Sequence, residues 1–89
     1  MTDFKYGEDK ILDELRIYIQ NTYGSHYGNQ IQAQDLIRSI GMAEEFFLGN
    51  VIKYASRYGK KSGKNRDDLL KVLHYTILLL NLNDREKGQ

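Results

Sequence analysis

The chain has no cysteine, no proline and no tryptophan among its 89 residues. Without cysteine there is no disulfide and no thiolate metal site. Without proline, glycine and local polarity are left to mark where elements end. No apolar run approaches the roughly 20 residues that a membrane-spanning helix needs. The opening Met1-Thr-Asp-Phe-Lys5 lacks a basic end followed by an apolar core, so it does not read as a secretory signal. A cytoplasmic location is therefore expected. Net charge is also nearly absent, at +1, so nothing global drives the chain onto DNA or a membrane.

What remains is a folded-protein composition, with 40% hydrophobic and 28% charged residues. The length suits one domain over residues 1–89, and a single core this small invites self-association. The charge is unevenly spread. No acid lies between Glu45 and Asp67, whereas Lys53, Arg57, Lys60, Lys61, Lys64 and Arg66 put six positive charges there. The first fourteen residues hold five acids against two lysines. Seven tyrosines stand beside three phenylalanines, and tyrosine suits surfaces that are apolar on one side and wet on the other.

The periodicity predicts an all-α fold, a compact small domain of three main helices plus one short one. Over residues 8–22, Ile11, Leu12, Leu15, Tyr18 and Ile19 share one helical face, and Glu8 and Asp9 complement the dipole of the first turn. Gly24-Ser-His-Tyr-Gly-Asn29 reads as a loop, residues 33–40 as a short helix, and Gly41 as its stop. A third helix is expected over residues 43–58, ending at Gly59. Its apolar face is read as Leu48, Val51, Ile52 and Ala55, flanked by Phe47 and Tyr58. Phe46, Asn50, Lys53, Tyr54 and Arg57 gather on the other side. Asn65 is a good N-cap for a fourth helix that runs to about Leu82 on a broad apolar stripe, with Leu78 outside it. Residues 83–89 read as a frayed tail.

The chemistry-bearing constellation is the face Asn50, Lys53, Tyr54 and Arg57 with the basic loop Gly59-Lys-Lys-Ser-Gly-Lys64. Arginine grips phosphate bidentately and lysine as a point charge. Loop N–H groups add donors, and Tyr54 or Phe46 offers a ring for a base. The plainer reading is a solvated helix face followed by a basic loop. The loop is not a P-loop: Gly59 and Gly63 enclose three residues rather than four, and Lys64 precedes Asn65 rather than serine or threonine. His26-Tyr27 sits in the glycine-rich loop, where ligand contacts are common. His74 is read as a helix-surface histidine whose proton affinity the neighbouring Lys71 lowers. The acidic pairs Asp13-Glu14, Glu44-Glu45 and Asp67-Asp68 are adjacent, so their members point about 100° apart and do not share a metal. Glu44-Glu45 and Asp67-Asp68 are accounted for as dipole partners of helix N-termini, while Asp35 is left to orient a basic side chain. No serine lies in an activating motif, so no nucleophilic triad is present and nothing demands catalysis.

One set of residues carries a resemblance. His26-Tyr27, Asp35-Leu-Ile37, Phe47-Leu-Gly-Asn-Val-Ile-Lys-Tyr54, Arg57, Gly59-Lys-Lys61, Asp68-Leu-Leu-Lys71 and His74-Tyr75 resemble the small SaV-like phage proteins of DUF3310, often labelled nucleotide kinases. The resemblance covers residues 26–80. The chain departs from the pattern in lacking a tryptophan near His74 and a proline after His26-Tyr27, which leaves the ligand preference open. The kinase label implies a phosphate cradle, a magnesium-holding acid and room for two substrates, and 89 residues without a P-loop supply little of that. Phage anti-CBASS sponges, small helical oligomers that sequester cyclic oligonucleotide immune signals without chemistry, look like a similar solution.

The expected function is such a sponge, with no cofactor and no metal. Its cyclic dinucleotide or trinucleotide would meet His26, Tyr27, Phe46, Asn50, Lys53, Tyr54, Arg57, Lys60 and Lys61. The partners expected are this ligand and further copies of the chain, the latter through the apolar excess of the last helix; neither nucleic acid nor membrane is expected. The alternatives are a small enzyme of nucleotide metabolism, either a nucleotide kinase or a magnesium-dependent pyrophosphohydrolase, and an interaction protein using the same basic patch.

Overall fold

The computed structural model describes residues 4–24 and 28–87, with side chains at 4–24 and 33–85. Four helices follow in order: α1 Glu8–Thr22, α2 Gly28–Ser39, α3 Ala43–Arg57 and α4 Arg66–Lys87. No strand occurs among the described residues, so the fold is all-α as expected. No helix of these is long and apolar enough to cross a membrane.

The helix ends follow from local chemistry. Gly7, at φ 74°, precedes α1, whose first turn carries Glu8 and Asp9. Gly41, at φ 78°, closes α2: its N–H bonds the Arg38 carbonyl and the Met42 N–H bonds the Ile37 carbonyl, both at 3.1 Å. That pair of bonds is the Schellman arrangement, which only a left-handed residue permits cheaply. At the start of α4, the Asn65 side-chain oxygen accepts the Asp67 N–H at 2.9 Å, the N-cap bond expected of it.

Two boundaries differ from expectation. α2 begins at Gly28, inside the stretch read as a loop, because the Gln- and Ala-bearing segment after it continues the helix without a breaker. α4 runs on to Lys87, so residues 83–87 are not a frayed tail; between Asn83 and Lys87 there is no glycine or proline to stop it.

α3 and α4 form an antiparallel hairpin. Arg57 at the end of α3 meets Asp68 at the start of α4, while Ala43 and Phe47 at the other end cluster with Tyr75 and Leu78. Phe47 is fully buried at the centre of this cluster, its ring 6.1 Å from that of Tyr75. α1 lies on α4 through Leu15, Tyr18 and Tyr23, with the two Tyr rings edge-on to His74. Arg66 also bonds Glu14 of α1 through two guanidinium nitrogens, at 2.7 and 2.5 Å. α2 docks on the start of α3, with Ile37 against the core and the Arg38 guanidinium 5.3 Å from the Phe47 ring centroid.

The faces of α3 and α4 are turned relative to the sequence reading. Leu48 and Ile52, assigned to the core, are 48% and 61% exposed, and Ala55 of the same face is exposed too; Val51 packs against the buried cluster as expected, joined by Phe46 and Tyr54 from the other side. On α4, Leu78 is buried, and Leu69, Leu73 and Leu80 of the expected stripe are exposed. Both helices have more apolar surface than one seam can bury, and the aromatic arc of α3 took the core, where its larger rings bury more area.

Phe47→Ala is expected to cost about 3–5 kcal/mol of folding stability, whereas Leu36→Ala, at a site 65% exposed, should stay within about 0.5 kcal/mol. Chemical denaturation of the two variants checks this.

Candidate functional site

The site lies where the α3–α4 hairpin closes. Tyr54, half-buried on α3, stacks on the buried Tyr75 of α4 with centroids 6.1 Å apart and planes inclined by 8°. Three cations surround the Tyr54 ring: Lys53 Nζ at 5.0 Å, Lys71 Nζ at 5.4 Å and Arg57 Cζ at 6.0 Å from its centroid. All three fall within the range in which a ring quadrupole attracts positive charge. Lys53 reaches the ring from the adjacent position on α3, and Lys71 from one turn before Tyr75 on α4.

Arg57 differs from the two lysines. Its Nε stands 3.6 Å from Asp68 Oδ1, an ion pair longer than a good hydrogen bond, and Asp68 is 2% exposed. Arg57 Nε and Asp68 Oδ2 have no hydrogen-bond partner among the described residues. Asp68 is therefore more than a partner of the helix dipole: it is a buried carboxylate whose charge Arg57 compensates. Removing either member would leave the other stranded in a poorly solvated place. Neither Lys53 nor Lys71 has an ion-pair partner among the described residues.

Residues 58–65 connect the helices. Gly59 and Gly63 take positive φ of 84° and 68°, and the Gly59 N–H bonds the Gly63 carbonyl at 2.8 Å. The Lys60 N–H is likewise used, on the Arg57 carbonyl at 3.0 Å. The loop is thus a turn whose Gly59 and Lys60 N–H groups are engaged internally, and it presents Lys60, Lys61 and Lys64 to solvent.

Of the residues expected to share a site, Lys53, Tyr54 and Arg57 come together, with Lys60 and Lys61 on the adjoining loop. Phe46 stands apart. It packs on Phe47 and Tyr75, with centroids at 5.7 and 6.2 Å, and lines a hollow toward Ile37, Ile40 and Met42. Asn50 is half-buried, and its amide donates to the Phe46 carbonyl at 2.8 Å. His26 and Tyr27 lie outside the described residues. Sequence reasoning about the site missed Lys71, Tyr75 and Asp68. The signal was present, since Asp68, Lys71 and Tyr75 recur at spacings of three and four on one face of α4.

Two further titratable groups are set by packing. The Arg66 guanidinium hydrogen-bonds Glu14 and holds its carboxyl below the usual range, and Arg66 is raised in return. Both groups are exposed, so this pair adds little to stability. His74 is not the surface histidine expected: it is half-buried, with edge-on contacts to Tyr18 and Tyr23 and an offset stack on Tyr75. Burial, rather than Lys71, pushes its proton affinity down, and its Nε2 has no hydrogen-bond partner among the described residues.

Because folded His74 is harder to protonate than the ordinary value of 6.5, the unfolded chain takes up the proton first as pH falls. Stability should therefore drop below about pH 6.5, continuing until folded His74 is itself protonated. Thermal melts from pH 7.5 to 5 are expected to show a slope that His74→Phe reduces; an unchanged slope would assign it to other groups.

Residues 21–76 match the model of DUF3310, a family described as a protein of unknown function. No curated protein and no solved structure matches the chain.

Proposed function

The chain belongs to the DUF3310 family, and from that premise we propose that it binds a small nucleotide through the cationic corner around Tyr54 and performs no chemistry on it. The ligand class is a cyclic dinucleotide or trinucleotide. The biological role is that of a phage sponge, lowering the free concentration of an immune signal in the cytoplasm of an infected cell.

One observation carries the reading: Lys53 and Lys71 are held over the Tyr54 ring rather than by carboxylates. An exposed cation–π contact is worth about 0.5–1 kcal/mol. A hydrogen bond to a charged group is worth about 1.5–3 kcal/mol. A phosphate therefore draws these ammonium groups off the ring at a net gain. Arg57 is the least available of the three, because Asp68 already compensates it; its part is to hold the hairpin closed. Lys60, Lys61 and Lys64 extend the positive field along the turn. The resemblance to anti-CBASS sponges supports the cyclic ligand and the absence of turnover.

The enzyme reading, a nucleotide kinase or a magnesium-dependent pyrophosphohydrolase, would hold magnesium through one or two carboxylates together with substrate phosphates, so recovery of the ligand is what separates it from the sponge.

Calorimetry with a panel of cyclic dinucleotides and trinucleotides should give heat with at least one of them. Lys53→Ala and Lys71→Ala should each weaken binding about tenfold or more, since 1.4 kcal/mol is a factor of ten. Ligand released by denaturing the complex should be recovered intact, with or without a chelator. No heat from the folded protein, or turnover that a chelator abolishes, overturns the proposal.

A further inference from the structure

We infer that the bare side of the α3–α4 hairpin is a self-association face, on which a second copy of this chain packs antiparallel about a two-fold axis. This does not depend on the ligand proposed above, because the face lies away from the cationic corner.

The face is built from two exposed stripes. On α3, Leu48 and Ile52 are one turn apart; on α4, Leu69, Leu73, Thr76 and Leu80 follow at helical spacing. The stripes meet, since Leu48 lines one groove of 480 Å³ with Thr76, Leu79 and Leu80. Both remaining helices are engaged elsewhere: α1 sits on the flank of α4 that carries His74, and α2 on the start of α3. Lys53 and Arg57 project from the opposite side of α3, some 100° or more round the helix from Leu48 and Ile52.

Area argues that part of the exposed apolar surface is covered, and five of its large side chains, Leu48, Ile52, Leu69, Leu73 and Leu80, gather on this one face. The chain exposes 6944 Å², roughly 1,500 Å² more than the ~5,400 Å² of a globular monomer of this mass. Its radius of gyration is 14.7 Å, where about 12 Å is usual for this length. Only six apolar side chains are buried among the described residues, while fifteen large ones are exposed. A stable dimer covers about 800 Å² on each partner, which the excess accommodates.

Charge selects the occupant and its direction. From Leu69 to Asn83 the sole charged residue of α4 is Lys71, on the cationic side, so the α4 stripe is uncharged and the one charge lining the groove is Glu44, at the start of α3. An identical apolar face matches it. Parallel packing would bring two turns of Lys60, Lys61 and Lys64 together. Antiparallel packing separates them and sets each near Glu44 and Glu45 of the second copy.

The test is solution mass by light scattering on the full chain at about 100 µM. Wild type should run at twice its 10.4 kDa. Leu48→Glu with Leu73→Glu should run as a monomer with helical circular dichroism retained, and Leu36→Glu should leave the dimer intact. The cysteine-free chain allows a second reading that needs no disruptive variant. Thr76→Cys, near the axis, should cross-link to itself on oxidation, and Ser62→Cys, in the turn, should not. A monomeric wild type, a dimer that Leu36→Glu breaks and the double variant spares, or cross-linking of Ser62→Cys alone would each overturn the inference. A monomer that still binds a nucleotide would overturn this face and leave the ligand reading standing.

Discussion

The stacking of α3 on α4 through aromatic rings is the contact on which the rest of the molecule depends. Tyr75 is its pivot: the ring contacts Phe46, Phe47, Tyr54 and His74. Each such pair is worth about 0.5–1.5 kcal/mol beyond simple area burial. The cluster also ties in the peripheral helices. α1 reaches it through the Tyr18 and Tyr23 contacts to His74, and α2 through Arg38 over Phe47. A chain without tryptophan, proline or disulfides thus assembles its centre from phenylalanine and tyrosine.

The same stack explains why the cations gather where they do. Tyr54 packs beside Tyr75 in a nearly parallel, offset arrangement, so its ring offers the cations an electronegative surface that both helices position. Lysines on both helices find it, from positions 53 and 71. Arg57 joins them only because Asp68 lies buried beneath the closing turn. A buried carboxylate with no cation beside it would cost several kcal/mol, so Arg57 serves the fold first. Lys53 and Lys71, by contrast, are held by no acid among the described residues, which is why the proposed ligand is assigned to them.

How much of this could be read in advance depended on whether a feature was local. Helix starts and stops were legible where one residue decided them, as at Gly41, Gly59 and Asn65. The end of α4 was not, since nothing between Asn83 and Lys87 forbids helix and the charged run there reads as readily as a solvated tail. The orientation of α3 was least legible. Phe46 and Phe47 on one arc and Leu48 and Ile52 on another are both apolar, and periodicity cannot rank two seams. The family was legible, because its motif is written in contiguous residues and the match spans residues 21–76. The companions Lys71, Tyr75 and Asp68 were obscured as site residues because they come from a second helix, and only the hairpin brings them beside Tyr54.

The two sides of the hairpin impose opposite physical demands, and the chain meets them by keeping them apart. The corner proposed to bind phosphate needs cations in partial contact with water, where they repel one another and are held only by weak contacts to the Tyr54 ring. An apolar face needs the reverse, a stretch of α4 free of charge. Were the lysines of the corner placed at Leu73 or Ile52, their repulsion and desolvation would oppose any association there. Were the apolar stripe continued into residues 60–64, the turn would lose its positive field. The aromatic stack between the two sides has a face toward each, so a change at Tyr75 would disturb the corner and the hairpin together, whereas a change at Leu48 would reach neither.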